Sequence, residues 1–121
     1  MPGRVLIVED EPNIVESLTF LLSREGFDVT SHGNGVTAFD ALLVDPPDVL
    51  VLDVMLPGLN GFDLLRRLRG NPALASLPVL MLTAKGQKRD REVAEACGAN
   101  LFMIKPFSNA DVVAAVKRLA G

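Results

Sequence analysis

Five short runs of branched and aliphatic residues alternate with five segments whose apolar residues recur at helical spacing. Nothing else in the chain restricts the fold as strongly. The runs are Arg4–Val8, Phe27–Thr30, Val49–Asp53, Leu77–Ala84 and Leu101–Ile104. The helical segments carry Ile14, Leu18, Leu21 and Leu22, then Val36, Phe39, Leu42 and Leu43. Phe62, Leu64, Leu65 and Leu68 mark the third, with Arg66, Arg67 and Arg69 on its wet side. Arg91 to Cys97 is a short fourth with a thin apolar face, and Val112, Val113, Val116 and Leu119 mark the last. Val49 to Leu52 is apolar at every position, the pattern of a parallel strand covered on both faces.

Local signals punctuate these units. Pro12 suits the first turn of a helix, and Gly26 the position just past its end. Asp45-Pro46-Pro47 and Gly70-Asn71-Pro72 stop the second and third helices. Ser108 caps the last one, whose final turn carries Lys117 and Arg118. His32 to Gly35 and Lys85 to Asp90 read as loops, the second polar and mobile. Strand–helix repeated five times predicts an α/β fold: a flavodoxin-like, doubly wound (βα)5 unit. Right-handed crossovers then favour a five-stranded parallel sheet in the order 2-1-3-4-5.

At 121 residues the chain is read as one domain, 1–121, large enough for a sizeable core. A net charge of −3 weighs against direct nucleic-acid binding. The single cysteine, Cys97, excludes an internal disulfide, suits the cytoplasm and reads as a small core residue. No apolar stretch approaches the roughly 20 residues of a membrane span. Glu9, Asp10 and Glu11 stand where a signal peptide would need its apolar core.

In the order 2-1-3-4-5 the switch point lies between the first and third strands, where such sheets place their chemistry. Glu9 and Asp10 end the first strand and Asp53 ends the third; Thr83 and Lys105 end the neighbours. Singly, each has a bland explanation. Strand-end acids are usually solvated or favour a helix start, Thr83 fits a strand, Lys105 is ordinary surface charge, and the only histidine, His32, reads as structural. Together they form a different object. Crowded carboxylates repel one another, and a divalent cation removes that conflict. Oxygen donors without His or Cys favour Mg²⁺, with Mn²⁺ as the alternative. With a lysine and a hydroxyl nearby, the set suits phosphoryl transfer onto Asp53 as nucleophile.

The motifs Val8-Glu9-Asp10-Glu11, Leu52-Asp53-Val54-Met55-Leu56-Pro57, Asn60-Gly61, Leu82-Thr83-Ala84 and Lys105-Pro106-Phe107 carry a family resemblance from Arg4 to Leu119. The chain resembles the receiver domain of bacterial two-component response regulators. The resemblance implies that Asp53 is the phosphoacceptor, taking a phosphoryl group from a sensor histidine kinase or phosphotransfer protein. It implies that Asp10, Asp53 and the Met55 backbone carbonyl hold Mg²⁺, with Glu9 acting at least partly through water. Lys105 would pair with phosphorylated Asp53, and Thr83 would bond a phosphoryl oxygen. Phe102 would be the switch aromatic that moves inward as Thr83 shifts, and the Lys105–Pro106 bond would be cis. The readout would be the face of fourth helix, fifth strand and fifth helix, acting on a downstream protein or a fused output domain. The chain would be a monomer or a phosphorylation-dependent dimer.

Some positions depart from the best-known members. Met55 and Lys85, two residues beyond Asp53 and Thr83, offer no evident water-orienting group, so slow self-dephosphorylation is expected. Asn100-Leu101 replaces the acidic pair of transcription-factor receivers, which weighs against their salt-bridged dimer face. Three other functions compete. A ligand-binding module such as a flavodoxin would need a phosphate-cradling Ser/Thr/Gly loop after the first strand, where this chain has acids that would repel phosphate. An aspartyl-phosphate phosphatase would need a second acid where Met55 stands. A degenerate receiver acting as a binding scaffold would not need all five key positions, yet all are present. The expectation is therefore a phosphoacceptor, not an enzyme that turns over an outside substrate.

Overall fold

The computed structural model describes residues 3–84 and 88–121. Five strands alternate with five helices: β1 (Arg4–Val8), α1 (Pro12–Arg24), β2 (Asp28–His32), α2 (Gly35–Val44), β3 (Val49–Asp53), α3 (Gly61–Arg69), β4 (Val79–Thr83), α4 (Lys88–Cys97), β5 (Leu101–Ile104) and α5 (Asn109–Ala120). The strands form one parallel sheet in the order β2-β1-β3-β4-β5, as the alternation predicts.

Period-two alternation divides the core in two. Leu6, Val8, Leu50, Leu52, Val79 and Met81 face α2, α3 and α4. Val5, Ile7, Val49, Val51, Leu80 and Leu82 face α1 and α5. Every residue of β3 and β4 is buried, so apolar side chains cover both faces of the two strands that carry Asp53 and Thr83. Each fully buried aliphatic side chain there contributes about 1.5–3 kcal/mol.

Several boundaries move from their sequence reading. β2 is Asp28–His32, so His32 belongs to an edge strand and not to a loop. Pairing with β1 extends it: His32 lies opposite Val8, and its carbonyl accepts from the Glu9 amide at 3.1 Å. β4 begins at Val79, after Leu77 and Pro78, and ends at Thr83. α4 begins at Lys88, three residues before the expected start, so residues 88 to 90 are helix and not loop. The remainder of that expected loop, Lys85 included, lies outside the described residues.

The expected caps at Gly26 and Ser108 are present. Gly26 has φ +93° beyond α1, and the Ser108 hydroxyl accepts from the Asp111 amide at 3.0 Å. Gly61 is required for space. A Cβ there would sit 2.2 Å from the Asp53 carbonyl oxygen, because α3 begins directly against the end of β3. Gly61→Ala is therefore expected to lower stability by about 1–3 kcal/mol in urea unfolding, the usual cost of overpacking.

Candidate functional site

The site is built at the carboxyl edge of the sheet, where four strand ends meet. β1 delivers Glu9 and Asp10, β3 delivers Asp53, β4 delivers Thr83, and the turn after β5 delivers Lys105. Backbone bonds fix their spacing. The Val54 amide donates to Leu82 at 3.0 Å, and the Lys105 amide donates to the Thr83 carbonyl at 2.7 Å. The Lys105–Pro106 peptide is cis.

Glu9, Asp53 and Thr83 are the buried polar side chains of the described core, at 2%, 3% and 2% exposure. Asp10 is exposed at the mouth. The Lys105 ammonium donates to Glu9 Oε2 at 2.8 Å and to Asp53 Oδ1 at 3.1 Å. The other Glu9 oxygen accepts from the Glu11 amide at 3.2 Å. Glu11 itself stands at the amino end of α1 without a side-chain capping bond. The acid run is therefore more than a helix start, since Glu9 turns inward to the lysine.

Two carboxylates share one ammonium, and the electrostatics follow from that. Burial pushes the Glu9 carboxyl above its ordinary value, and Asp53 adds to the rise; the Lys105 hydrogen bond opposes both. Burial alone would lower Lys105, but its bonds to Glu9 and Asp53 outweigh it, so the ammonium is held above its ordinary value. Lys105 is thus a cation throughout the neutral range.

One oxygen each from Glu9, Asp10 and Asp53 lies within 4.8 Å of the others. Three hard oxygen donors at that spacing, two of them buried, fit a small divalent cation such as Mg²⁺ or Mn²⁺. The set has no sulfur or imidazole for a softer metal. An open groove adjoins Lys105, lined by Glu11, Ile14, Ser17, Pro106 and Phe107 among others.

The structure thus brings Glu9, Asp10, Asp53 and Lys105 into one cluster and puts Thr83 at the same sheet end. Met55 is different: its thioether side chain is 64% exposed. Phe102 lies farther down β5, paired with Met81, while Thr83 pairs with Ile104. By alternation Thr83 and Phe102 address the same face of the sheet. The Phe102 ring is half-buried beneath the Arg91 guanidinium, 5.5 Å from its centroid.

Sequence reasoning missed Asn34. Its side chain accepts from the Val36 amide at 2.8 Å, capping α2. It also abuts Gly58, which has φ +81° and whose absent Cβ leaves room for the amide. An Asn just before a helix is an N-cap signal, so this role was available in the pattern.

The model of the response regulator receiver domain family matches residues 5–117. The DNA-binding response regulator MtrA of Mycolicibacterium smegmatis is 40% identical over 117 residues, covering 97% of this chain and 50% of that protein. The phosphate regulon transcriptional regulatory protein PhoB of Rhizobium meliloti is 40% identical over 119 residues, covering 98% of this chain and 52% of its own length. This chain therefore spans about half the length of the curated relatives it matches. The crystal structure of the receiver domain of sensor histidine kinase PA1611 from Pseudomonas aeruginosa PAO1, with a magnesium ion in its active-site cleft, superposes with a TM-score of 0.91. It is 28% identical, and the match covers 100% of this chain and 99% of that one.

Proposed function

Because this chain belongs to the response regulator receiver domain family, we propose that it is a phosphorylatable signalling receiver whose acceptor is Asp53. The observation that carries the reading is the buried cluster in which Lys105 bridges Glu9 and Asp53. A buried, lysine-held carboxylate at a sheet switch point beside two further acids has little structural purpose.

The donor is a phosphohistidine on a sensor kinase or phosphotransfer protein, approaching along the groove beside Lys105. An Asp53 carboxylate oxygen attacks phosphorus, the phosphorus–nitrogen bond breaks, and the imidazole leaves and takes up a proton. Glu9, Asp10, Asp53 and the Met55 carbonyl would hold Mg²⁺, or Mn²⁺ in its place. The bound ion supplies positive charge that lowers repulsion between the acids and the incoming phosphoryl oxygens. Lys105 supplies a second positive charge and orients Asp53. The phosphoryl group adds roughly two negative charges and new acceptors. Those acceptors favour the conformer in which the Lys105 ammonium and Thr83 hydroxyl are both close. The result is a population shift read at α4, β5 and α5, with Phe102 reporting the change.

On this reading the chain is a single receiver domain, 1–121, acting in the cytoplasm on a downstream protein or fused output domain. Among the described residues, no helix is long and apolar enough to cross a membrane. The test is intact mass after incubation with Mg²⁺ and acetyl phosphate. A gain of one phosphoryl group, lost when metal is chelated, supports the reading; no gain with metal present, either from acetyl phosphate or from a purified phosphorylated cognate histidine kinase, rejects it in favour of a binding scaffold.

The phosphoryl group is expected to be long-lived. The exposed Met55 thioether offers no donor to hold an attacking water in line. After removal of acetyl phosphate in the presence of Mg²⁺, loss of the added mass is expected to be slower than the minute scale. Loss within minutes would mean that another group orients the water.

A further inference from the structure

We propose that α2 carries a self-docking face, on which a second copy of this chain packs in a two-fold dimer with the two α2 helices side by side and parallel. The inference does not depend on phosphorylation. Three of the six large apolar side chains exposed among the described residues lie on this one ten-residue helix: Val36 at 48%, Leu43 at 44% and Val44 at 85%. They are not scattered. At about 3.6 residues per turn, Val36 and Leu43 share one side of α2 with the half-buried Phe39. Gly35, Ala38 and Leu42 already supply the buried side of the helix. The exposed stripe is therefore surplus to the core. Single exposed apolar residues are ordinary, but a contiguous row of them marks a contact surface.

The margins of the stripe say what fits on it. On the Phe39 side stands Arg67 of α3, its guanidinium 5.9 Å from the ring centroid. On the other side stands Asp40. Both charged residues are exposed, and among the described residues neither has an ion-pair partner in its own chain. Around the helix, Val36 and Leu43 fall midway between Phe39 and Asp40. Along the helix, Asp40 directly follows Phe39, so the two charges stand at nearly the same height. A two-fold axis along that midline stacks Val36 on Val36 and Leu43 on Leu43. It also sets Asp40 of each protomer beside Arg67 of its partner. Antiparallel packing would instead bring Asp40 to Asp40 and Arg67 to Arg67, which like charge disfavours. The face is thus complementary to itself in one orientation.

The helix is only about 15 Å long, so the interface belongs to the small, weak class. The arrangement also orients the sites. The Gly35 amide at the start of α2 donates to the Pro57 carbonyl at 3.2 Å, in the loop that follows Asp53. Parallel helices therefore turn both Asp53 sheet edges the same way.

The test is sedimentation equilibrium of the unphosphorylated chain from about 10 μM to about 1 mM, the range in which a weak dimer dissociates. The mass should rise with concentration from 13.0 kDa toward twice that value. Leu43→Glu should raise the dimer Kd about tenfold or more, and Val36→Glu serves if Leu43→Glu does not fold. Asp40→Arg should weaken the dimer about fivefold, and adding Arg67→Glu should restore it to within about threefold. Circular dichroism melting on the same samples confirms that each variant is folded. A wild type that stays at 13.0 kDa at about 1 mM overturns the proposal and leaves the stripe to a different protein. A dimer indifferent to both Leu43→Glu and Val36→Glu overturns the face. A folded double variant as weak as Asp40→Arg alone overturns the parallel pairing.

Discussion

Asp53→Asn is expected to abolish phosphoryl uptake entirely while leaving the fold intact. The substitution keeps the shape and one oxygen acceptor for the Lys105 ammonium, which stands 3.1 Å from Asp53 Oδ1. It removes the carboxylate that attacks phosphorus, and an amide is a poor replacement nucleophile. It also removes the negative charge that helps push the Glu9 carboxyl upward, so thermal stability should be unchanged or slightly higher. Circular dichroism melting and intact mass, on the same samples, separate these effects. A folded Asp53→Asn protein that still gains a phosphoryl group would show that another side chain is the acceptor. Asp10→Asn is the companion: it leaves the nucleophile in place, so uptake should persist but need far more metal.

Lys105→Ala is expected to carry the largest stability change at the site, and its size should depend on pH. The substitution strands two nearly inaccessible carboxylates that now share one ammonium. Removing one partner of a buried ionic set costs about 3 kcal/mol when the remaining charges cannot escape. Here Glu9 can escape by protonation, because burial already holds its pKa above the ordinary value of 4.5. The sign follows from linkage. An acid with a raised folded pKa binds more protons folded than unfolded, so stability falls as pH rises through that folded value. Without Lys105 the Glu9 value rises further, so the loss should be greatest near pH 8 and shrink toward pH 5. Lys105 itself adds no pH dependence in that window. Its pKa is raised, so its contribution is full below its unfolded value and is lost only above its folded one, higher than 10.5. Millimolar Mg²⁺ should restore more stability to the variant than to the wild type, because cation binding substitutes for the missing ammonium. Urea unfolding at several pH values, with and without Mg²⁺, measures all of this. A pH-independent loss would mean that Lys105 contributes by packing alone.

The boundaries that the sequence misplaced share a cause. The sequence pattern ends β2 at Thr30, yet pairing with β1 carries it on to His32. Ser31 and His32 have no apolar periodicity to announce a strand, so only the neighbour's ladder makes them one. The sequence pattern starts α4 at Arg91, but Lys88 to Asp90 before it are polar and helical all the same. In both cases the missing signal was burial, the quantity that periodicity reports. Arg69 was invisible for a related reason. In sequence it is one of several arginines on the third helix. Only the fold, by bringing Gly98, Leu77 and Asn100 to the end of that helix, turns one of them into a half-buried fork and leaves Arg66 on the surface with Asp63.

The sequence by itself determined the strand–helix alternation, the strand order and the set of acids, hydroxyl and lysine that end neighbouring strands. Those features are local: apolar periodicity sets the element type, and right-handed crossovers with a parallel sheet leave little choice of order. The tertiary structure alone decided that Glu9 turns inward to share Lys105 with Asp53 and that Gly61 must yield its side chain to the Asp53 carbonyl. It also decided that Arg69 ties the end of α3 to the Gly98 carbonyl just past α4. These are contacts between residues distant in the chain. Their physical reason is the close packing of strand ends and helix ends, where each polar group must find its partner or lose water without compensation.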